Sequence, residues 1–266
     1  MTRLGRAAIC ATVAAQFLSS PVFAGEPARL IAHRGGIVGD EFAENSAAAL
    51  QAAIERGYWM IEVDIRESKD GKLVVQHDED FRRFYGHPGT VATMMWPEIS
   101  QLRATPGQTR PLEFHELAAL CKGKLRLMLD TKPPDHGAAF YRSMVEALEK
   151  NDLLESAYVI GTDESRRYFR GKARVGLPAK ALKEADARGE EIRTLYFLFE
   201  HGRDLDDETV AWAQHAGIPV VPSINIFHYA DRASHFEAAR ADILRLRQLG
   251  VTEFQIDSVY DRWLRE

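Results

Sequence analysis

Short apolar runs alternate along this chain with stretches in which apolar residues recur at the three- and four-residue spacing of a helix. Eight runs read as strands: 29–33, 59–65, 125–131, 157–161, 173–177, 194–199, 219–225 and 252–257. Between them, Asn45 is placed to cap a helix that carries Leu50 and Ile54 and stops at Gly57. Stretches 138–150, 207–216 and 234–249 also carry helical periodicity. Strands alternating with helices predict an α/β fold, a parallel (β/α)8 TIM barrel. Pro222 inside one run counts mildly against the regularity of that strand. No Ser/Gly/Pro-rich linker or low-complexity tract divides residues 25–266, so one domain is expected.

A ninth run, 73–77, follows the second strand across Lys69-Asp70-Gly71-Lys72. Asp-Gly between apolar alternations predicts a β-hairpin with a two-residue turn, because both turn residues take positive φ. In that register Lys69 faces Lys72 and Asp64 lies directly opposite His77. Glu62 shares the Asp64 face, while Ile61, Val63 and Ile65 point the other way. A slip of one residue would undo this pairing.

The first 24 residues have the plan of a secretory signal peptide. Arg3 and Arg6 precede an apolar run from Ala7 to Leu18, and Val22-Phe23-Ala24 offers small residues for cleavage. The run is shorter than a membrane span requires, so export to the periplasm or medium without a stable membrane anchor is expected. The chain carries a net charge of −5, and loss of Arg3 and Arg6 with the leader takes it to −7. Such an acidic chain is a poor candidate for nucleic-acid binding. Cys10 lies in the leader, which leaves Cys121 without a partner for an internal disulfide. Cys121 reads as buried and inert. The oligomeric state is not legible.

Glu62, Asp64 and Asp130 are carboxylates within otherwise apolar strand runs, where unpaired charge is costly. One divalent cation, Mg²⁺ or Ca²⁺, removes that cost, since hard cations take oxygen ligands. His33 ends the first strand ahead of Gly35-Gly36. With His77 it forms a candidate general acid/base pair, because imidazole titrates near neutral pH. Arg34 and Lys132 are candidate phosphate clamps. No GxGxxG fingerprint, GxSxG elbow or CxxC pair is present, which argues against dinucleotide binding, serine hydrolysis and a zinc ribbon.

His33-Arg34-Gly35, Glu44-Asn45-Ser46, Glu62-Val63-Asp64, Lys69-Asp70-Gly71 and His77-Asp78 occur in the order found in the glycerophosphodiester phosphodiesterase family, which this chain resembles. The match is dense over residues 30–80 and thin afterwards. The resemblance implies a phospholipase-C-like TIM barrel and one divalent cation held by Glu62, Asp64 and Asp130. It implies His33 and His77 as the acid/base pair, with Arg34, Lys132 and Glu44 toward the substrate. The implied reaction cleaves a small phosphodiester substrate to glycerol 3-phosphate and an alcohol.

Departures from the family pattern bear on the leaving group. Asp130-Thr131-Lys132 stands where the family has Glu-x-Lys, and is similar to sphingomyelinase D-type enzymes. Phe81-Arg82-Arg83-Phe84-Tyr85-Gly86 replaces an Arg-Thr-Thr-x-Gly segment. Pro222-Ser223-Ile224-Asn225 lacks the family's tryptophan, and Ile256-Asp257-Ser258-Val259 stands for Thr-Asp-x-Pro. Two alternatives follow: a phospholipase D- or sphingomyelinase D-like headgroup hydrolase, and a non-catalytic phosphodiester-binding barrel. An apolar rim at the barrel mouth would favour the first, and Met94-Met95-Trp96 is the candidate segment for it.

Overall fold

The computed structural model describes residues 26–37, 41–105, 107–133 and 136–265. The leader proposed for residues 1–24 lies outside them. Eight parallel strands form the barrel: β1 (Arg29–Ala32), β2 (Met60–Glu67), β3 (Arg126–Thr131), β4 (Tyr158–Val159), β5 (Arg174–Leu177), β6 (Tyr196–His201), β7 (Val220–Ile224) and β8 (Glu253–Ile256). They pair in chain order, and β1 closes the sheet by pairing with both β2 and β8. Pro222 is accommodated within the buried β7.

Seven of the helices are α1 (Ala47–Glu55), α2 (Phe114–Cys121), α3 (Ala138–Lys150), α4 (Asp163–Phe169), α5 (Ala179–Ala187), α6 (Asp207–His215) and α7 (His235–Gln248). Their apolar stripes face the sheet: α3 buries Phe140, Tyr141, Met144, Ala147 and Leu148, and α7 buries Ala239, Ile243 and Leu246. Thr162, Asp206 and Ser234 cap α4, α6 and α7 by accepting from a backbone amide three residues on. The main core lies between helices and sheet. A smaller one fills the barrel with Ile31, Met60, Met128, Tyr158, Ile160, Phe197 and Val221. Cys121 is buried in the main core, and burial pushes its thiol up to about 12. Among the described residues no helix is long and apolar enough to cross a membrane.

Strand Leu73–Val75 pairs antiparallel with β2, and Leu112–Glu113 pairs with its other edge. The observed register differs from the expected one by one residue. Ile65 faces Val75, and the Gln76 amide donates to the Asp64 carbonyl. The turn is a three-residue loop, Lys69-Asp70-Gly71, in which only Gly71 takes positive φ. The Asp70 carboxylate accepts from Ser68 Oγ at 2.7 Å and from the Trp96 amide at 2.9 Å, which fixes the longer loop. Met94 and Trp96 pack with Val74, Phe81, Val91 and Ile99 in a satellite core, while Met95 between them is exposed.

Candidate active site

The candidate side chains gather at the C-terminal ends of the barrel strands, where barrel enzymes carry their chemistry. Glu62 and Asp64 project from β2, and Asp130 is the register partner of Asp64 on β3. Ligand atoms of all three carboxylates lie within 4.8 Å of one another. Lys132 Nζ sits among them, 2.8 Å from Asp64 and 2.6 Å from Asp130. Burial, then repulsion from Asp64 and Asp130, raises the Glu62 carboxyl well above its usual range. Burial likewise raises Asp130 despite Lys132. For Asp64 burial is outweighed by the charge of Lys132, by that of His77 when it is protonated, and by hydrogen bonds from Lys132 and Asn45, which hold it low.

This donor set fits a divalent cation. Glu62 is 1% exposed, and its Oε1 is buried without a hydrogen-bond partner. A buried carboxylate oxygen left in that state is costly unless a cation or donor joins it. Glu44, His77 and Asp78 form a second group with donor atoms equally close. There both Glu44 oxygens are already engaged by the guanidiniums of Arg34 and Arg83.

The loop after β1 is built on close approach. Arg34 takes a left-handed conformation (φ 53°, ψ 47°), and its amide donates to Glu62 Oε2 at 2.8 Å. A Cβ on Gly36 would stand 2.1 Å from the Ala49 carbonyl oxygen, so only glycine lets α1 pack here. The Ile37 amide bonds that same carbonyl. This packing delivers Asn45 to the site, where Nδ2 donates to Asp64 Oδ2 at 2.8 Å. Asn45 is therefore not the cap of α1. Ser46 caps it, accepting from the Ala49 amide.

Each histidine has an aspartate at Nδ1. His33 contacts Asp257 at 2.7 Å, and His77 contacts Asp78 at 2.8 Å. His77 lies beyond the end of its strand. It reaches the site because Arg66 donates to its carbonyl from Nε at 3.0 Å and Nη2 at 2.8 Å. Arg34 donates from Nη1 to Glu44 at 3.0 Å and from Nη2 to His77 Nε2 at 3.2 Å. Arg83 grips Glu44 through both terminal nitrogens and Asp78 through Nε at 2.6 Å. The contacts close a ring through His77, Asp78, Arg83, Glu44 and Arg34. Glu44 is buried and reaches the site through these two arginines.

Asp257 and Arg83 are additions to the residues picked from sequence. Asp257 follows β8 directly, and that position at a strand's C-terminal end, with the Asp it shares with the family's Thr-Asp-x-Pro segment, was the available signal. Burial works to raise the Asp257 carboxyl. The hydrogen bond and charge of His33, with the Ile226 amide and Arg34, outweigh it and hold it low. Beside His33 and Arg34 a cavity of about 430 Å³ opens, lined also by Glu44, Arg83, Ile226, Phe227 and Val259. Phe227 is 56% exposed and its ring lies 6.0 Å from that of His33.

An acidic cation-type pocket flanked by two Asp-supported histidines at the mouth of a parallel barrel defines a barrel phosphodiesterase. Residues 33–252 match the Glycerophosphoryl diester phosphodiesterase family, and the chain belongs to it. It is similar to a "Probable glycerophosphodiester phosphodiesterase 2" of Mycobacterium tuberculosis, 26% identical over 219 residues and 77% of each chain. Over 69 residues it is 38% identical to a human "Lysophospholipase D GDPD1", covering 26% of this chain and 21% of that protein. Its fold matches that of an Oleispira antarctica phosphodiesterase solved with the product sn-glycerol-3-phosphate. The TM-score is 0.71 at 20% identity, over 90% of this chain and 98% of the other.

Proposed function

We propose that this enzyme hydrolyses glycerophosphodiesters to glycerol 3-phosphate and an alcohol, using one divalent cation and the His33–His77 pair. The observation that carries the metal dependence is the partnerless, buried Glu62 Oε1 beside Asp64 and Asp130. When bound by Glu62, Asp64 and Asp130, Mg²⁺ or Ca²⁺ supplies Lewis-acid stabilisation of charge on the phosphate. Arg34 and Lys132 orient the phosphate oxygens by charge-assisted hydrogen bonds. His77 Nε2, a lone-pair acceptor from Arg34 at rest, takes the proton of the attacking water as its oxygen bonds to phosphorus. His33 gives a proton from Nε2 to the departing alkoxide as the ester P–O bond breaks. Asp257 at Nδ1 supports the protonated ring before that transfer. The product complex of the Oleispira protein supports this substrate class.

Release of glycerol 3-phosphate from glycerophosphocholine by the purified protein, with Mg²⁺, Ca²⁺ or EDTA, tests the reading. Release that EDTA abolishes is expected, and release insensitive to EDTA sinks the metal role. A second reading has an observation of its own: Ile226, Phe227 and Val259 are exposed at the cavity beside His33. That apolar rim favours diesters that keep an acyl chain, and choline release from lysophosphatidylcholine exceeding that from glycerophosphocholine would establish it. Residues 1–24 are proposed to direct export. N-terminal sequencing of secreted protein is expected to begin at Gly25, and retention of Met1 would exclude cleavage.

A further inference from the structure

We propose that the N-terminal mouth of the barrel, the end opposite His33 and His77, binds a small phosphate-type oxyanion between the guanidiniums of Arg126 and Arg174. Arg29, Arg126 and Arg174 are the first residues of β1, β3 and β5, and Tyr158 and Glu253 begin β4 and β8. With Trp59 they line one cavity of about 480 Å³. Glu253 is buried there and needs a counter-charge. Arg29 supplies it at 3.1 Å, and Tyr158 Oη donates a hydrogen bond at 3.0 Å.

Arg126 and Arg174 act on Glu253 only through their charge, without a close contact. Among the described residues neither side chain has an ion pair or a hydrogen-bond acceptor. Arg126 lies over the Trp59 ring, 4.7 Å from its centroid, and that contact holds its guanidinium in place. Arg174 Nη1 is buried with no hydrogen-bond partner, so the water that donor gives up is not replaced. Glu155 also lines the cavity but is exposed and pairs with neither. The mouth thus carries an excess of positive charge on a chain whose net charge is −5. Two guanidinium forks without hydrogen-bond acceptors, one of them with a buried unmet donor, match the oxygens of a phosphate.

Calorimetric titration of the full chain with inorganic phosphate and with glycerol 3-phosphate, in EDTA at low ionic strength, tests this. An Arg34→Ala background, with the metal removed by EDTA, weakens the opposite, catalytic end, and loss of binding on added Arg126→Ala separates the two. Saturable binding of one equivalent is expected, weakened at least about tenfold by added Arg126→Ala or Arg174→Met. Tighter binding of glycerol 3-phosphate assigns the site to phosphate monoesters, and tighter binding of phosphate assigns it to the free ion. No saturable binding of either, or affinity unchanged by the substitutions, overturns the proposal. Should Arg174→Met fail to fold, Arg126→Ala decides alone, because that side chain is exposed.

Discussion

Arg34 aims Nη2 at Nε2 of His77 across 3.2 Å. A guanidinium has donors and no acceptor, so the contact requires a lone pair on Nε2. The His77 proton then sits on Nδ1, against Asp78 at 2.8 Å. The resting tautomer is that of a general base. His77→Ala and His33→Ala are each expected to lower kcat by about 10²–10⁴, with circular dichroism and Tm close to wild type. Normal steady-state turnover in either variant removes its role.

Arg83 bridges Glu44 and Asp78, and through them holds Arg34 and His77. Arg83→Ala is expected to lower kcat about tenfold or more with little change in KM, and Arg83→Lys to restore only part. In a double-mutant cycle, adding Arg83→Ala to Arg34→Ala should cost little further activity, because residues in one network couple. Fully additive losses would mark Arg83 as independent of Arg34.

Burial, with repulsion from Asp64 and Asp130, disfavours the ionised Glu62 carboxylate, and its Oε1 has no hydrogen-bond partner. Glu62→Gln removes charge without changing shape. Its metal-free Tm is expected to equal or exceed wild type, while the rise in Tm produced by saturating Mg²⁺ or Ca²⁺ is lost. Asp64→Asn is expected to weaken metal dependence as sharply. A metal-induced rise retained in Glu62→Gln, read by calorimetry, excludes Glu62 as a ligand.

Asp257 is held below the usual carboxylate range, so the fold prefers its ionised form. Stability from that preference is present above about pH 4, where the unfolded carboxyl is ionised. It is lost as pH falls through the lower folded value. Wild-type Tm should drop steeply below about pH 4 and Asp257→Asn more shallowly. Parallel curves would show that the contact with His33 contributes nothing to acid stability.

The eight barrel strands are legible because each is an apolar run bounded by turn signals, and Glu62, Asp64 and Asp130 stand out as acids inside such runs. The hairpin register is not. The Asp70 carboxylate bonds Ser68 and Trp96, and the Trp96 contact comes from a distant segment. Asn45 and Ser46 are both good caps in isolation. Only Gly36, by letting α1 come close, gives Asn45 the alternative partner Asp64. Arg83 lies where the chain leaves the family pattern, and its two carboxylate partners are remote from one another in sequence. Such contacts depend on the closed barrel, which local pattern does not encode.

Arg34 serves two halves of the site with separate atoms. Its amide holds Glu62, and its side chain holds Glu44 and His77. Its left-handed backbone costs a non-glycine residue roughly 1–2 kcal/mol. Glycine adopts that conformation freely, so Arg34→Gly would delete the clamp, keep the amide on Glu62 and ease the turn. A chain losing that side chain in this way would keep its carboxylate pocket and have Lys132 as its remaining basic grip on the phosphate, a steadier protein with a much weakened hold on its substrate.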